Sequence, residues 1–286
     1  MKIQNIRWNL LALGAFAALM STSAHAVWTF DIGTSGSTLT NAQVTNITAK
    51  SPFDSVPGTD PTVTLSGVTA TNTNGVVGGN WSSTSLVSWG GSGVGIQQAG
   101  EGNPQHAVDN SGKTEAVLMN FSSSVILSSI GLGWTSNGTS ENVAVDLSVF
   151  RWVGTGTPPD LVGKSATANS GWELVGNYGD MVVDKTADPG YNKINTGTAN
   201  GTGAAGAGQK GSSWWLISAY NTGFGTAKES RGSLDNSNDF FKLFAVAGTT
   251  CVTGQDCGPK KLPEPATLAL TSVALLGMVG LRRRKN

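Results

Sequence analysis

Apolar and polar side chains alternate with a period of two along much of this chain, the pattern of strands with one buried face. Val143, Val145, Leu147, Val149 and Arg151 share one face of an extended segment, with Asp146 and Ser148 opposite them, until Phe150 and Trp152 make the second face apolar too. Val117, Met119 and Phe121 form a second stripe, and Ile126, Ile130, Leu132 and Trp134 a third. Further strands are predicted at 62–69, 81–89, 172–175, 181–184, 214–220 and 240–247, each bounded by Gly, Asn or Ser. About nine or ten short strands with turn signals between them predict an all-β domain, read as a jelly-roll-like β-sandwich. Composition strengthens this reading. The chain holds 39 glycines and only 13% charged residues, and its Ser, Thr and Asn compete with a helix for backbone hydrogen bonds. Thr196 to Gly211, nearly all Gly, Ala, Thr and Asn, is expected as a surface loop.

Both ends depart from the pattern. Lys2 and Arg7 precede an apolar run from Leu10 to Met20 and then Ser21-Thr22-Ser23-Ala24-His25-Ala26, the order of a secretory signal peptide. Ala24 and Ala26 form its small-x-small cleavage site, so residues 1–26 are expected to be removed and the mature chain to begin at Val27. At the other end Pro263-Glu264-Pro265 leads into an uncharged apolar run, 266–281, closed by Arg282, Arg283, Arg284 and Lys285. As a helix that run rises about 24 Å, a short transmembrane span. The four cations act as a membrane stop that holds the tail on the cytoplasmic side.

The order of Pro263-Glu264-Pro265, a helix containing Gly277 and Gly280, and a basic tail resembles the PEP-CTERM sorting signal of bacterial exosortase substrates. The resemblance implies recognition by exosortase, a membrane protease-transpeptidase, and delivery to the cell surface or extracellular matrix of a Gram-negative, polysaccharide-producing bacterium. Pro104-Gln105-His106-Ala107-Val108-Asp109-Asn110, Gly131-Leu132-Gly133-Trp134 and Asp239-Phe240-Phe241-Lys242-Leu243 are similar to segments of exosortase-dependent surface proteins, a group that implies no enzyme activity. The expected organisation is a signal peptide (1–26), a β-sandwich ectodomain (27–250), a linker (251–262) and the sorting signal (263–286).

Between the end signals, 27–261 holds 12 basic and 17 acidic side chains, so no basic patch is left for nucleic acid. Cys251 and Cys257 are the only cysteines of a chain read as exported, and a local disulfide at the start of the linker is expected. His106 is the one histidine of that stretch, with Asp109 three residues on, but no Gly-x-Ser-x-Gly nucleophile elbow occurs. Gly163-Lys164-Ser165 resembles the end of a phosphate loop, except that Pro158 stands where the leading glycine belongs.

Glu101, Asn103, Asp109 and Asn110 gather the oxygen donors that calcium prefers, although a solvated loop with Asx-turns fits the same residues. No other cofactor is suggested. Eight tryptophans follow the signal peptide, most of them expected in the core, and in the adjacent pair Trp214 and Trp215 one is expected to face outward, where an indole can stack on a sugar. The expectation is a structural or adhesive surface protein and not an enzyme. A carbohydrate-binding module for exopolysaccharide is the alternative, and a hydrolase comes third.

Overall fold

The computed structural model describes residues 26–29, 36–39, 61–98, 106–154, 161–167, 171–185, 192–196, 209–225, 232–251 and 256–257. These residues form β1 (Ala26–Thr29), β2 (Ser37–Leu39), β3 (Val63–Thr73), β4 (Val76–Ser88), β5 (Val94–Gln97), β6 (Val108–Asp109), β7 (Lys113–Ser136), β8 (Val145–Trp152), β9 (Trp172–Met181), β10 (Ser212–Ala219) and β11 (Phe240–Thr250). The domain is all-β, as the alternation predicts. Among the described residues no helix is long and apolar enough to cross a membrane. The apolar run 266–281 lies outside them, as do residues 1–25 and most of the 196–211 loop.

The sheet closes on itself. β7 is 24 residues long. It lends one edge first to β3, from Thr71 opposite Lys113 to Val63 opposite Phe121, and then to β11, from Thr250 opposite Val125 to Phe240 opposite Ser136. β3 continues through β4 and β5 to the far edge of β11. The ring β7–β3–β4–β5–β11 is a closed β-barrel. β10, β8 and β9 extend from the second edge of β7, while β1 and β6 add to β11 and β2 adds to β4.

Closure corrects the expected jelly-roll sandwich. Strand count and alternation are the same in both architectures, and what decides between them is how one strand is shared. Ser122 to Ser124 separate the second and third apolar stripes. In the structure the ladder runs through them: Ser122 N–H donates to the Thr62 carbonyl and Cys251 N–H to the Ser124 carbonyl. Gly176 and Asn177, read as a break between two strands, likewise lie within the single strand β9.

One continuous core joins Leu65, Met119, Phe121, Leu132, Ile96 and Phe241 of the ring strands to Trp215 of β10. A second cluster covers the outer face of β3, β4, β7, β10 and β8, where Trp81, Phe150 and Leu216 are buried and Phe224 and Trp172 pack against them. Both faces of that sheet are therefore apolar, which explains the switch from alternating to continuous hydrophobicity at Phe150 and Trp152.

β11 defines two poles about 33 Å apart, at some 3.3 Å per residue. Asp239 stands at its start. At its end Thr250 runs into Cys251, which is disulfide-bonded to Cys257 with Cα atoms 5.6 Å apart. β1 lies antiparallel to the end of β11, with Ala26 opposite Gly248, so the first and last described residues share the disulfide pole. Cys251, Asp256 and Cys257, expected to lie in a linker, are docked on the barrel. Gly211 N–H donates to the Asp256 carbonyl at 2.6 Å, Ser124 Oγ to the Cys257 carbonyl at 2.6 Å, and the buried Arg151 pairs with both Asp256 and Glu173. Burial disfavours the Arg151 charge, but the hydrogen bonds to Asp256 and Glu173 outweigh it and raise the guanidinium pKa further.

Candidate functional site

The other pole is built on carboxylates that spend their oxygens on backbone N–H groups. Asp146, on β8, accepts from Asp180 N–H at 3.0 Å through one oxygen and from Asp235 N–H at 2.8 Å through the other. Asp239 accepts from Asp146 N–H at 2.9 Å. Asn110 accepts from Asp239 N–H at 2.9 Å and donates to the carbonyls of Tyr220 and Ser237. Asp180 accepts from Ser233 N–H, and Asp235 from Ser237 N–H. These bonds hold the 232–239 loop across the barrel mouth. Desolvation dominates the charge state: burial pushes the Asp239 carboxyl up to about 8 and raises that of Asp146 against its two backbone donors.

Beside this loop opens a cleft of about 260 Å³, between the β3–β4 turn and residues 235–238. Asn74 and Gly75 both have positive φ, 53° and 79°, the two-residue Asn-Gly hairpin turn. Asn221 ties that turn to the body. It accepts from Val77 N–H and Gly223 N–H and donates to the Gly75 carbonyl and Thr114 Oγ1. Asn110 and Asn221 are thus consumed in shaping the cleft. Asn74, Asn236 and Asn238 on its rim are exposed, and their amides carry no hydrogen bond.

Residues 106–110, 131–134 and 239–243 meet on three neighbouring strands. Phe240 and Phe241 of β11 pair with Asp109 and Val108 of β6, while Lys242 and Leu243 pair with Trp134 and Leu132 of β7. Gly133 is the extra residue of a bulge between the last two pairs. The bulge brings Trp134 onto the face of Lys242, whose Nζ lies 3.9 Å from the Trp134 ring centre and 4.9 Å from that of Trp89. Trp89 stacks on His106, which takes φ 61°. The arrangement closes one wall of the barrel, and it leaves His106 packed on an indole ring.

Sequence reasoning placed some of these residues and missed others. Asp109 is buried and accepts from Ser111 N–H at 2.8 Å, the Asx-turn alternative to a calcium ligand. Asn110 serves the loop, and Glu101 and Asn103 lie outside the described residues. Among the described residues no three His, Cys, Asp or Glu side chains are grouped to hold a metal ion. Trp215 is fully buried in the main core and donates its indole N–H to the Ser212 carbonyl, which removes it as a sugar platform. Trp214 lies on the outer face, half-buried. The Asp146–Asp239 network and Asn221 carried no sequence signal, since their partners are far away along the chain. Comparison with known protein families, with characterised proteins and with solved structures gives no match.

Proposed function

We propose that this chain is an exported cell-envelope protein with a structural or adhesive role, sorted by exosortase through residues 263–286 and not acting as an enzyme. One observation carries the reading. Ala26, where the signal peptide is expected to end, and Cys257, just ahead of Pro263, lie at the same pole of the barrel, opposite the polar cleft. A chain tethered through 266–281, as a transmembrane helix before processing, holds the barrel by that pole and turns the cleft toward the exterior. The disulfide fits an oxidising compartment outside the cytoplasm, and its docking on the barrel gives the tail a rigid point of departure.

Sorting is tested by changing Pro263→Ala, Glu264→Gln and Pro265→Ala together in a host that has exosortase. The variant is expected to keep its tail, run above the processed wild type on an immunoblot and stay with the membrane fraction. Processing identical to wild type would remove exosortase from the reading.

A further inference from the structure

We infer that the cleft between the β3–β4 turn and the 232–239 loop binds a neutral, hydroxyl-rich ligand, a sugar residue of a polysaccharide chain. The inference rests on the adhesive reading above only for the source of that ligand. At about 260 Å³ the cleft is smaller than the roughly 300–1,000 Å³ of drug-sized sites and suits on the order of one or two sugar rings.

Its chemistry selects the class. Each free amide of Asn74, Asn236 and Asn238 offers a donor and an acceptor side by side, the complement of two neighbouring hydroxyls. Among the described residues the lining contains one carboxylate, Asp235, and no cation. The Asp235 carboxylate in the lining and Asp180 behind the loop give the cleft a negative field, which disfavours phosphates, sulfates and uronic acids. Val76, 43% exposed on the rim, supplies an apolar patch for the C–H face of a ring.

The walls are held in place before any ligand arrives. Asn221 fixes the hairpin tip, Asn110 fixes Ser237 and Asp239, and Asp146 fixes Asp235. A site whose walls are already ordered loses less entropy on binding.

The test uses the full chain in mild detergent on an array of neutral and anionic glycans, followed by calorimetry with the best neutral oligosaccharide. Binding to at least one neutral glycan is expected, with uronate-containing and phosphorylated glycans silent. Asn74→Gly, which keeps the positive φ, Asn236→Ala and Asn238→Ala should each weaken binding about five- to tenfold, the effect of one lost hydrogen bond, and the triple variant should abolish it. Circular dichroism should show all of them folded, because these amides bond to nothing in the protein. No neutral glycan bound, preference for an anionic one, or a triple variant that binds like wild type would each overturn the site. Sorting on the immunoblot is independent of this result, so either reading can fail while the other stands.

Discussion

Nη2 of Arg151, a side chain only 5% exposed on β8, lies 2.6 Å from Oδ2 of Asp256 inside the disulfide loop. The loop therefore supplies an exposed carboxylate to a buried guanidinium of the barrel. Replacing Cys251 and Cys257 by Ser frees it, loses about 2 kcal/mol of loop-closure stabilisation and weakens the Arg151–Asp256 contact. The expected result is a melting temperature lower by several degrees, at roughly 2–4 °C per kcal/mol for a domain of this size. Asp256→Ala alone should cost about 1–2 kcal/mol, with Glu173 still holding Arg151. Calorimetric scans decide. An unchanged melting temperature in the cysteine double variant would make 251–257 a passive linker after all.

Asn221 is buried and makes four side-chain hydrogen bonds, two of them to the turn region of the β3–β4 hairpin. Asn221→Ala leaves Val77 N–H and Thr114 Oγ1 short of a partner in a buried setting. The expected loss is about 2–3 kcal/mol, measured by chemical denaturation, with glycan affinity falling as the hairpin tip loses its register against the 232–239 loop.

Two glycines mark where backbone meets backbone. A Cβ at Gly95 would collide with the His106 carbonyl, and one at Gly133, the bulge residue, with the Ser92 carbonyl. Gly91 is open, with no atom within 4 Å of the position its Cβ would take. Gly95→Ala and Gly133→Ala should each destabilise by more than about 2 kcal/mol, while Gly91→Ala should stay within about 0.5 kcal/mol. Equal effects at Gly133 and Gly91 would mean that the 90–92 turn does not pack on the bulge.

The strands of this barrel are legible because each carries its own period, and the disulfide because only one pairing of two cysteines exists. The opposite faces of Trp214 and Trp215 follow from alternation alone. Closure is not legible, since it passes through β5, four residues that include Gly95, and through a single pair of Leu243 with Val94. Ser122 to Ser124 interrupt the apolar pattern with three small polar residues, and only the neighbouring Thr62 and Cys251 reveal the continuing ladder. The mouth network joins residues 93 positions apart, Asp146 and Asp239, and no window along the sequence holds both. The loop 101–110 carried a calcium reading because residue type shows which oxygens are present and not which backbone donor each has taken.

The pH dependence of stability tests the mouth network directly. Burial raises the Asp239 carboxyl from an ordinary value near 4 to about 8, so between those values the native state keeps a proton that the unfolded chain has released. Excess protons on the native state make stability fall as pH rises. The contribution of Asp239 is therefore full below about pH 4 and gone above about pH 8. Asp146 acts in the same direction. Glu173 acts oppositely: although burial would raise its carboxyl, hydrogen bonds from Lys210 and Arg151 hold it below the usual range, and its contribution is lost in acid. Wild-type stability, followed by urea denaturation from pH 4.5 to 9, should decline across the window. Asp239→Asn keeps an acceptor for Asp146 N–H and carries no charge to bury, so its profile should be flatter and the variant should be the more stable of the two at pH 8.5. A variant with an undiminished slope would show that the Asp239 carboxyl is ionised in the folded barrel at neutral pH.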